Sequence, residues 1–141
     1  MVFMKKVLLQ LFIVSAIILC IGSCSDKGGG GGGGTTEANL AVTLNPPAGS
    51  TQPAAPQNDF PLTVTITSIM PPQGVTIDVK VAPDGSTTNF FTDSKSVTSA
   101  ITPFTITGTP AGVVCVTTVT VTSKSKATNT VTLSYRYTRK P

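Results

Sequence analysis

The sequence predicts an all-β protein, a sandwich of two sheets built from seven short strands. Apolar residues alternate with threonine or other polar residues at period two over several stretches after residue 39. Threonine, valine and isoleucine, which suit a pleated and half-buried surface, are abundant there, and charged residues make up only 11% of the chain. Turn sequences separate the stretches at intervals of roughly 8–14 residues, and none of them has helical periodicity.

The first three strands are separated by two proline-containing segments. Alternation predicts strands over residues 40–44, 62–66 and 75–81, of which the third has the most regular pattern. Residues 45–56 contain four prolines, which cannot donate to a β-ladder, and they predict a loop or an irregular edge. Residues 70–74 carry two prolines and a glycine, which end the second strand.

Four further strands follow. Pro83-Asp84-Gly85 predicts the turn after the third strand, because proline presets φ and glycine tolerates a positive φ. The fifth strand is bent or ended near Pro103. Two strands have one clear apolar face, which consists of Val113, Cys115, Val119 and Val121 in the sixth and of Val131, Leu133, Tyr135 and Tyr137 in the seventh. The predicted ranges are 87–92, 96–107, 113–122 and 131–138.

Residues 1–23 have the build of a secretory signal peptide. Lys5 and Lys6 precede an apolar run of 15 residues from Val7 to Ile21. At about 1.5 Å per residue this run covers roughly 22 Å, less than the ~30 Å hydrocarbon core, so a transmembrane helix is the weaker alternative. The sequence Ile21-Gly22-Ser23-Cys24 then resembles the lipobox of bacterial lipoproteins. This resemblance implies that Cys24 is lipidated, becomes the first residue and anchors the protein in a membrane.

Two alternatives to lipidation at Cys24 stay open. Cys20 also follows apolar residues, but the bulky Leu19 stands where a small residue is needed. A plain secreted protein cut nearby would leave Cys24 without a role. Asp26 resembles the acidic surface-export tags of some bacteria with two membranes, and Ser25 is not the aspartate that marks inner-membrane retention. The resemblance therefore implies the bacterial cell envelope, at the outer membrane or cell surface rather than the inner membrane.

The mature chain divides into a tether and one domain. Residues 24–38 include seven consecutive glycines, Gly28–Gly34, and no apolar group to bury, which predicts a flexible linker. Residues 39–141 suffice for one core-forming domain and not for two. With Cys24 lipidated, Cys115 has no partner for an intrachain disulfide.

The strand count and the threonine-rich alternation from Leu40 to Lys140 resemble bacterial immunoglobulin-like and fibronectin type III-like modules. The resemblance rests on pattern and implies a seven-stranded immunoglobulin-like β-sandwich. The chain departs from true immunoglobulin domains because it has no tryptophan and Cys115 is unpaired. In addition, Val113 occupies the position two residues before the cysteine, where a tyrosine corner would place tyrosine.

The residue types argue against catalysis and against a cofactor. The chain has no histidine, the commonest general base, and Cys115 lies among valines, as a buried core thiol does. Asp84, Asn89 and Asp93 offer oxygens for calcium but lack the dense spacing of dedicated calcium loops. We therefore expect a non-enzymatic protein that holds no metal or other cofactor.

Four aromatic residues are candidate ligand contacts. Tyr135 and Tyr137 share a face that either packs in the core or presents its rings to a sugar. Phe90 and Phe91 point to opposite faces of a strand, so one of them is a candidate exposed contact.

The charge pattern is weakly basic. The formal charge is +4, and removing the two leader lysines leaves 4 − 2 = +2, too little to indicate nucleic-acid binding. A basic cluster near the two ends of the last hairpin is either a solvated rim or a surface for anionic glycans or headgroups, and it comprises Lys124, Lys126, Arg136, Arg139 and Lys140.

These observations together favour a non-enzymatic, lipid-anchored protein of the envelope or cell surface. Its role is structural, adhesive or interactive, and it acts through a single sandwich on an unidentified protein or glycan. The alternative is a carbohydrate- or ligand-binding accessory lipoprotein that uses exposed aromatic residues.

Overall fold

A computed structural model describes residues 36–141, which form seven antiparallel strands and, within that range, no helix. The predicted all-β, two-sheet sandwich of seven strands is confirmed. The strands are β1 (Val42–Asn45), β2 (Phe60–Ile66), β3 (Val75–Pro83), β4 (Phe91–Val97), β5 (Ile101–Ile106), β6 (Val114–Ser123) and β7 (Thr130–Thr138).

The strands are divided between a three-stranded and a four-stranded sheet. The first has the order β1-β2-β5 and the second β4-β3-β6-β7. Consecutive strands pair within a sheet in β1–β2, β3–β4 and β6–β7. The chain changes sheet after β2, β4 and β5, so three connections join the two layers.

The core lies between the inner faces of the two sheets. In β3 the residues at odd positions from Val75 to Val81 are fully buried, and their neighbours at even positions face outward. The same alternation in β2 buries Leu62, Val64 and Ile66. Burying each such side chain stabilises the fold by about 1.5–3 kcal/mol, which is why alternation with period two selects this architecture.

The predicted fourth and fifth strands, over residues 87–92 and 96–107, are displaced in the structure. The fourth strand begins at Phe91 and extends to Val97, and the fifth begins at Ile101, so residues 98–100 form the connection between the sheets. The pattern misled because the inward positions of β4 include Asp93 and Lys95, which pair with Val79 and Ile77 of β3. Charged residues on an inner face conceal the apolar alternation on which the prediction rested.

Lys95 has a structural reason to point inward. Its Nζ donates a hydrogen bond to the carbonyl of Pro103 in the other sheet, at 2.7 Å, and lies 4.3 Å from the centre of the Phe104 ring. An inward-pointing charge on an edge strand, and a proline on the neighbouring edge strand β5, both discourage pairing with a strand of another molecule.

Each end of the sandwich is formed by a different set of loops and terminal segments. The N-terminal pole consists of residues 36–41, 67–74, 98–101 and 124–129, which are joined by hydrogen bonds. The amide N–H of Leu40 donates to Oδ1 of Asn129, and the amide of Lys124 donates to the carbonyl of Gly74. The C-terminal pole, at the other end of the antiparallel strands, consists of residues 84–90, 107–113 and 139–141.

Candidate functional site

The proline-rich segment 46–59 lies along the outer edge of β7. The amides of Gly49, Gln52 and Ala55 donate to three alternate β7 carbonyls, at 2.7, 2.8 and 3.1 Å. The predicted irregular edge is therefore correct, although the segment does pair with a strand, through isolated parallel bridges at Thr51 and Ala55. Residues without a proline ring supply the donors, which is how a proline-rich chain covers an edge.

A pocket of about 210 Å³ opens between this segment and the inner faces of β2 and β7. Its aromatic wall consists of Phe60, Tyr135 and Tyr137, with ring centres 4.4 Å apart for Phe60–Tyr137 and 6.0 Å apart for Tyr135–Tyr137. Rings and a methyl group form most of the remaining lining, with two amide side chains as polar groups, and these residues are Pro46, Pro53, Pro61, Ala55, Gln52 and Gln57. The volume suits a group of about one ring, below the ~300 Å³ at which drug-sized pockets begin.

The two tyrosine hydroxyls of the pocket wall differ in their hydrogen bonding. The hydroxyl of Tyr137 is 2.9 Å from Oγ1 of Thr109, a buried pair in which either oxygen can donate. The hydroxyl of Tyr135 is buried and has no hydrogen-bond partner among the described residues. Leaving a buried hydroxyl unpaired costs about 1–3 kcal/mol.

Burial is the main influence on the pKa of both tyrosine hydroxyls. It raises the pKa of Tyr135, and the nearby Thr117 hydroxyl, which is outside hydrogen-bond geometry, offsets part of the rise. Burial likewise raises the pKa of Tyr137 far above its ordinary value, and the hydrogen bond to Thr109 offsets part of the rise. Both side chains are therefore neutral phenols at physiological pH.

The structure separates the four predicted aromatic contacts. Tyr135 and Tyr137 are 3% and 1% exposed, so they pack in the core and present no open ring face, although both line the pocket. Phe90 and Phe91 are half-buried and pack against the core, apart from the pocket. A sugar platform of fully exposed rings is thus not formed by these four residues in this conformation.

Cys115 lies in the core, as predicted, with no exposed surface. Burial raises the pKa of its thiol, whose Sγ is 3.6 Å from the carbonyl oxygen of Val113. A buried protonated thiol is a poor nucleophile. Val113, which the sequence pattern placed on the same inner face, is instead exposed, because it precedes the first residue of β6. The prediction for Val113 is wrong.

The charged candidates are dispersed over the surface. Asp84 pairs with Arg136, 3.2 Å from oxygen to Nε, and no group of three potential metal-ligating side chains occurs within residues 36–141. Arg139 donates to the carbonyl of Thr109. The basic cluster is divided, with Lys124 and Lys126 at the N-terminal pole and Lys140 at the C-terminal pole.

Sequence reasoning missed the other residues of the pocket, among them Gln52, Gln57 and Phe60. Gln52, which lines the pocket, donates from Nε2 to the hydroxyl of Ser50 at 2.7 Å, and this bond holds its amide in place. The prolines around it indicate a loop, but no local pattern shows that the loop returns to β7. A contact between positions so far apart in the sequence has no local signal.

The predictions for the N-terminal region concern residues outside those that the structure describes. They are the signal peptide 1–23, the lipobox residues Ile21, Gly22 and Ser23, lipidation at Cys24 and the tether through residue 35. Within residues 36–141, nothing helical has the length and hydropathy needed to span a bilayer.

Comparison of the chain with protein-family models, with curated proteins and with solved structures finds no significant match. The function therefore has to be inferred from the residues of this chain.

Proposed function

We propose that this protein is a non-enzymatic bacterial lipoprotein that holds one β-sandwich at the outer membrane or cell surface. Its acyl chains are attached to Cys24, and its role is structural, adhesive or interactive. We also propose that the sandwich is an immunoglobulin-like or fibronectin type III-like module, which its seven strands in sheets of three and four support.

The order of features along the chain carries the proposal. A lipobox-like sequence, Ile21 to Cys24, is followed by seven glycines and then by a sandwich that the chain joins at its N-terminal pole. Asn129 is bonded there to Leu40, Ala38 and Glu37, so the chain is bonded to the sandwich from Glu37 onward. A tether joined at one pole leaves the opposite pole, and the pocket beside it, free to meet a partner outside the membrane.

The test is the intact mass and detergent partitioning of the protein from its native host, for wild type and for Cys24→Ala. Cys20→Ala is the matched control, since it removes the neighbouring thiol and leaves the lipobox unchanged. We expect a mature chain beginning at residue 24 with added acyl mass, lost in Cys24→Ala and kept in Cys20→Ala. Two or more acyl chains hold a protein stably in the bilayer, each buried CH₂ contributing about 0.8 kcal/mol.

An uncleaved chain, or partitioning unchanged in Cys24→Ala, contradicts the proposal. Acyl mass that disappears in Cys20→Ala would move the anchor to the other cysteine. Turnover of an envelope polymer by the purified protein would contradict the non-enzymatic role.

Ligand binding in the pocket is a second candidate, favoured by its lining of three aromatic and three proline rings with the amides of Gln52 and Gln57 as polar groups. A glycan array and a small-molecule thermal-shift screen would detect it. Ala55→Phe fills the pocket, whereas Ala54→Phe, at the adjacent exposed position outside the lining, is the matched control. Binding abolished by the first variant and kept by the second supports this function, and the absence of any binding rejects it.

A further inference from the structure

Two large apolar side chains are exposed at the N-terminal pole. Ile69 is 80% exposed and Ile101 is 62% exposed, the highest values among the large apolar residues of the described chain. Ile69 follows Thr67 and Ser68, whose amides both donate to the carbonyl of Ala41 in the N-terminal segment. Ile101 begins β5, and the carbonyl of Ala100 before it accepts the amide of Ile66.

The same pole carries two lysines. Lys124 and Lys126 are exposed in the loop between β6 and β7 and have no carboxylate within ion-pair distance among residues 36–141. Ser123 holds this loop, because its hydroxyl accepts the amide of Lys126. The amide of Gln73 donates to the hydroxyl of Ser125, and the amide of Lys124 donates to the carbonyl of Gly74, so the loop is joined to the segment that bears Ile69.

A protein surface that binds at the boundary between lipid headgroups and acyl chains typically combines apolar side chains with lysines. The apolar groups enter the boundary, and the ammonium groups meet anionic headgroups. The C-terminal pole also has exposed apolar residues, Val113 and Val114, near the basic Arg139 and Lys140, so composition alone does not distinguish the two poles. The difference is that the N-terminal segment, residues 36–41, joins the sandwich only at the N-terminal pole.

We propose that the N-terminal pole docks on the anionic lipid surface that holds the acyl chains of Cys24, with Ile69 and Ile101 inserted and Lys124 and Lys126 on the headgroups. This inference rests on the proposed lipid anchor. The flexible linker predicted for residues 24–38 favours a membrane over a protein partner, because it keeps this pole near the bilayer. A short flexible linker gives an effective concentration on the order of millimolar, so even weak docking is populated.

Docking fixes the orientation of the sandwich. The N-terminal pole faces the bilayer, and the pocket and the C-terminal pole face outward. The tether is then a flexible connection that lets the domain reach the membrane surface, and not a spacer that holds the domain away from it.

The absence of tryptophan from the chain allows a direct test. Ile69→Trp introduces a single reporter at the N-terminal pole, and Val114→Trp introduces the matched reporter at the other pole. Each full-length protein is purified from its host, its intact mass is measured, and it is placed in phosphatidylglycerol-containing vesicles with and without brominated acyl chains. We expect bromine to quench about half or more of the Ile69→Trp emission, with a blue shift, and to leave Val114→Trp unaffected.

The lysines are tested in the Ile69→Trp background with Lys124→Gln and Lys126→Gln together. Loss of these lysines should weaken docking on anionic vesicles by on the order of fivefold per lysine. On vesicles of phosphatidylcholine alone, the same substitutions should change docking little. Equal quenching at the two poles, or none at Ile69→Trp, overturns the proposal. A blue shift without vesicles that grows with protein concentration also overturns it, because the pole then contacts a second copy of the chain.

The intact mass separates this inference from the proposed function. Missing acyl chains contradict the lipid anchor whatever the quenching shows. Normal acylation with unquenched Ile69→Trp contradicts docking and leaves the lipid anchor in place. An unacylated protein is mixed with the same vesicles at lipid on the order of millimolar, which replaces the effective concentration that the tether supplies. Quenching confined to Ile69→Trp then supports docking, and its absence overturns docking as well.

Discussion

Replacing Gly74 with alanine should destabilise the sandwich far more than the same change at Gly85. Both glycines have a left-handed backbone, with φ of +78° and +81°. A Cβ at Gly85 would meet nothing within 4 Å, whereas one at Gly74 would lie 2.3 Å from the carbonyl oxygen of Val97 and 3.0 Å from the Thr98 methyl. The two substitutions therefore carry the same penalty for a left-handed backbone, and only the one at Gly74 also brings the new Cβ into a clash.

The magnitudes follow from these two terms. A left-handed conformation costs an alanine roughly 1–2 kcal/mol, partly offset by about 0.4–1 kcal/mol of lost freedom in the unfolded chain. Gly85→Ala should thus lower the free energy of unfolding by about 1 kcal/mol. At Gly74 the start of β3 must also move away from the end of β4, and forced overpacking typically adds 1–3 kcal/mol. We expect a total of about 3 kcal/mol.

Urea titration of the two variants and the wild type measures the difference. On thermal melting, Gly74→Ala should lie about 10 °C or more below Gly85→Ala, because 1 kcal/mol shifts the midpoint of a domain of this size by roughly 4–8 °C. Equal losses in the two variants, within about 0.5 kcal/mol, would refute the packing of Gly74 against the Val97 carbonyl.

Two further predictions concern buried polar groups. Asn129→Ala removes three hydrogen bonds to residues 37–40 and should lower the free energy of unfolding by about 2–4 kcal/mol, whereas the exposed Asn58→Ala should change it by less than ~0.5 kcal/mol in the same urea titration. A loss at Asn129 no larger than at Asn58 would contradict this bonding. The second prediction is alkaline instability, because Tyr135, Tyr137 and Cys115 have pKa values raised by burial. Their unfolded forms release protons first, so the stability that they contribute is complete below about pH 8 for Cys115 and below about pH 9 for the tyrosines. It is lost as pH rises, by up to ~1.4 kcal/mol per pH unit for each group. Unfolding titrations from pH 8 to 11 should show this slope and a shallower one in Tyr137→Phe, and a flat profile would contradict the burial.

Local alternation predicted a large part of the core. Leu62, Val64 and Ile66 in β2 are buried where the period-two pattern placed them, and Tyr135 and Tyr137 in β7 share one face, which is the buried one of the two alternatives. A strand with one buried face must alternate, so this information is carried by adjacent residues. Turns built from proline and glycine were predictable for the same reason, as at Pro83-Asp84-Gly85.

The pattern failed where an inner face departs from apolar residues. β4 places Lys95 over the ring of Phe104, and that contact exists only when the second sheet is present. The error at Val113 is the opposite one. The pattern predicted this apolar residue to be buried, but it lies just before the strand begins and stays exposed.

The sequence by itself determined the fold class, the core faces of most strands, the burial of Cys115 and the pattern on which the lipid anchor is proposed. Each of these depends on residues close together in the chain. Only the tertiary structure decided that segment 46–59 covers β7 and forms a pocket with Phe60. It alone also brought Ile69 and Lys124 to the pole where Asn129 binds the N-terminal segment. These arrangements join positions that are distant in the sequence, and their stability comes from pairing and packing that no single strand contains.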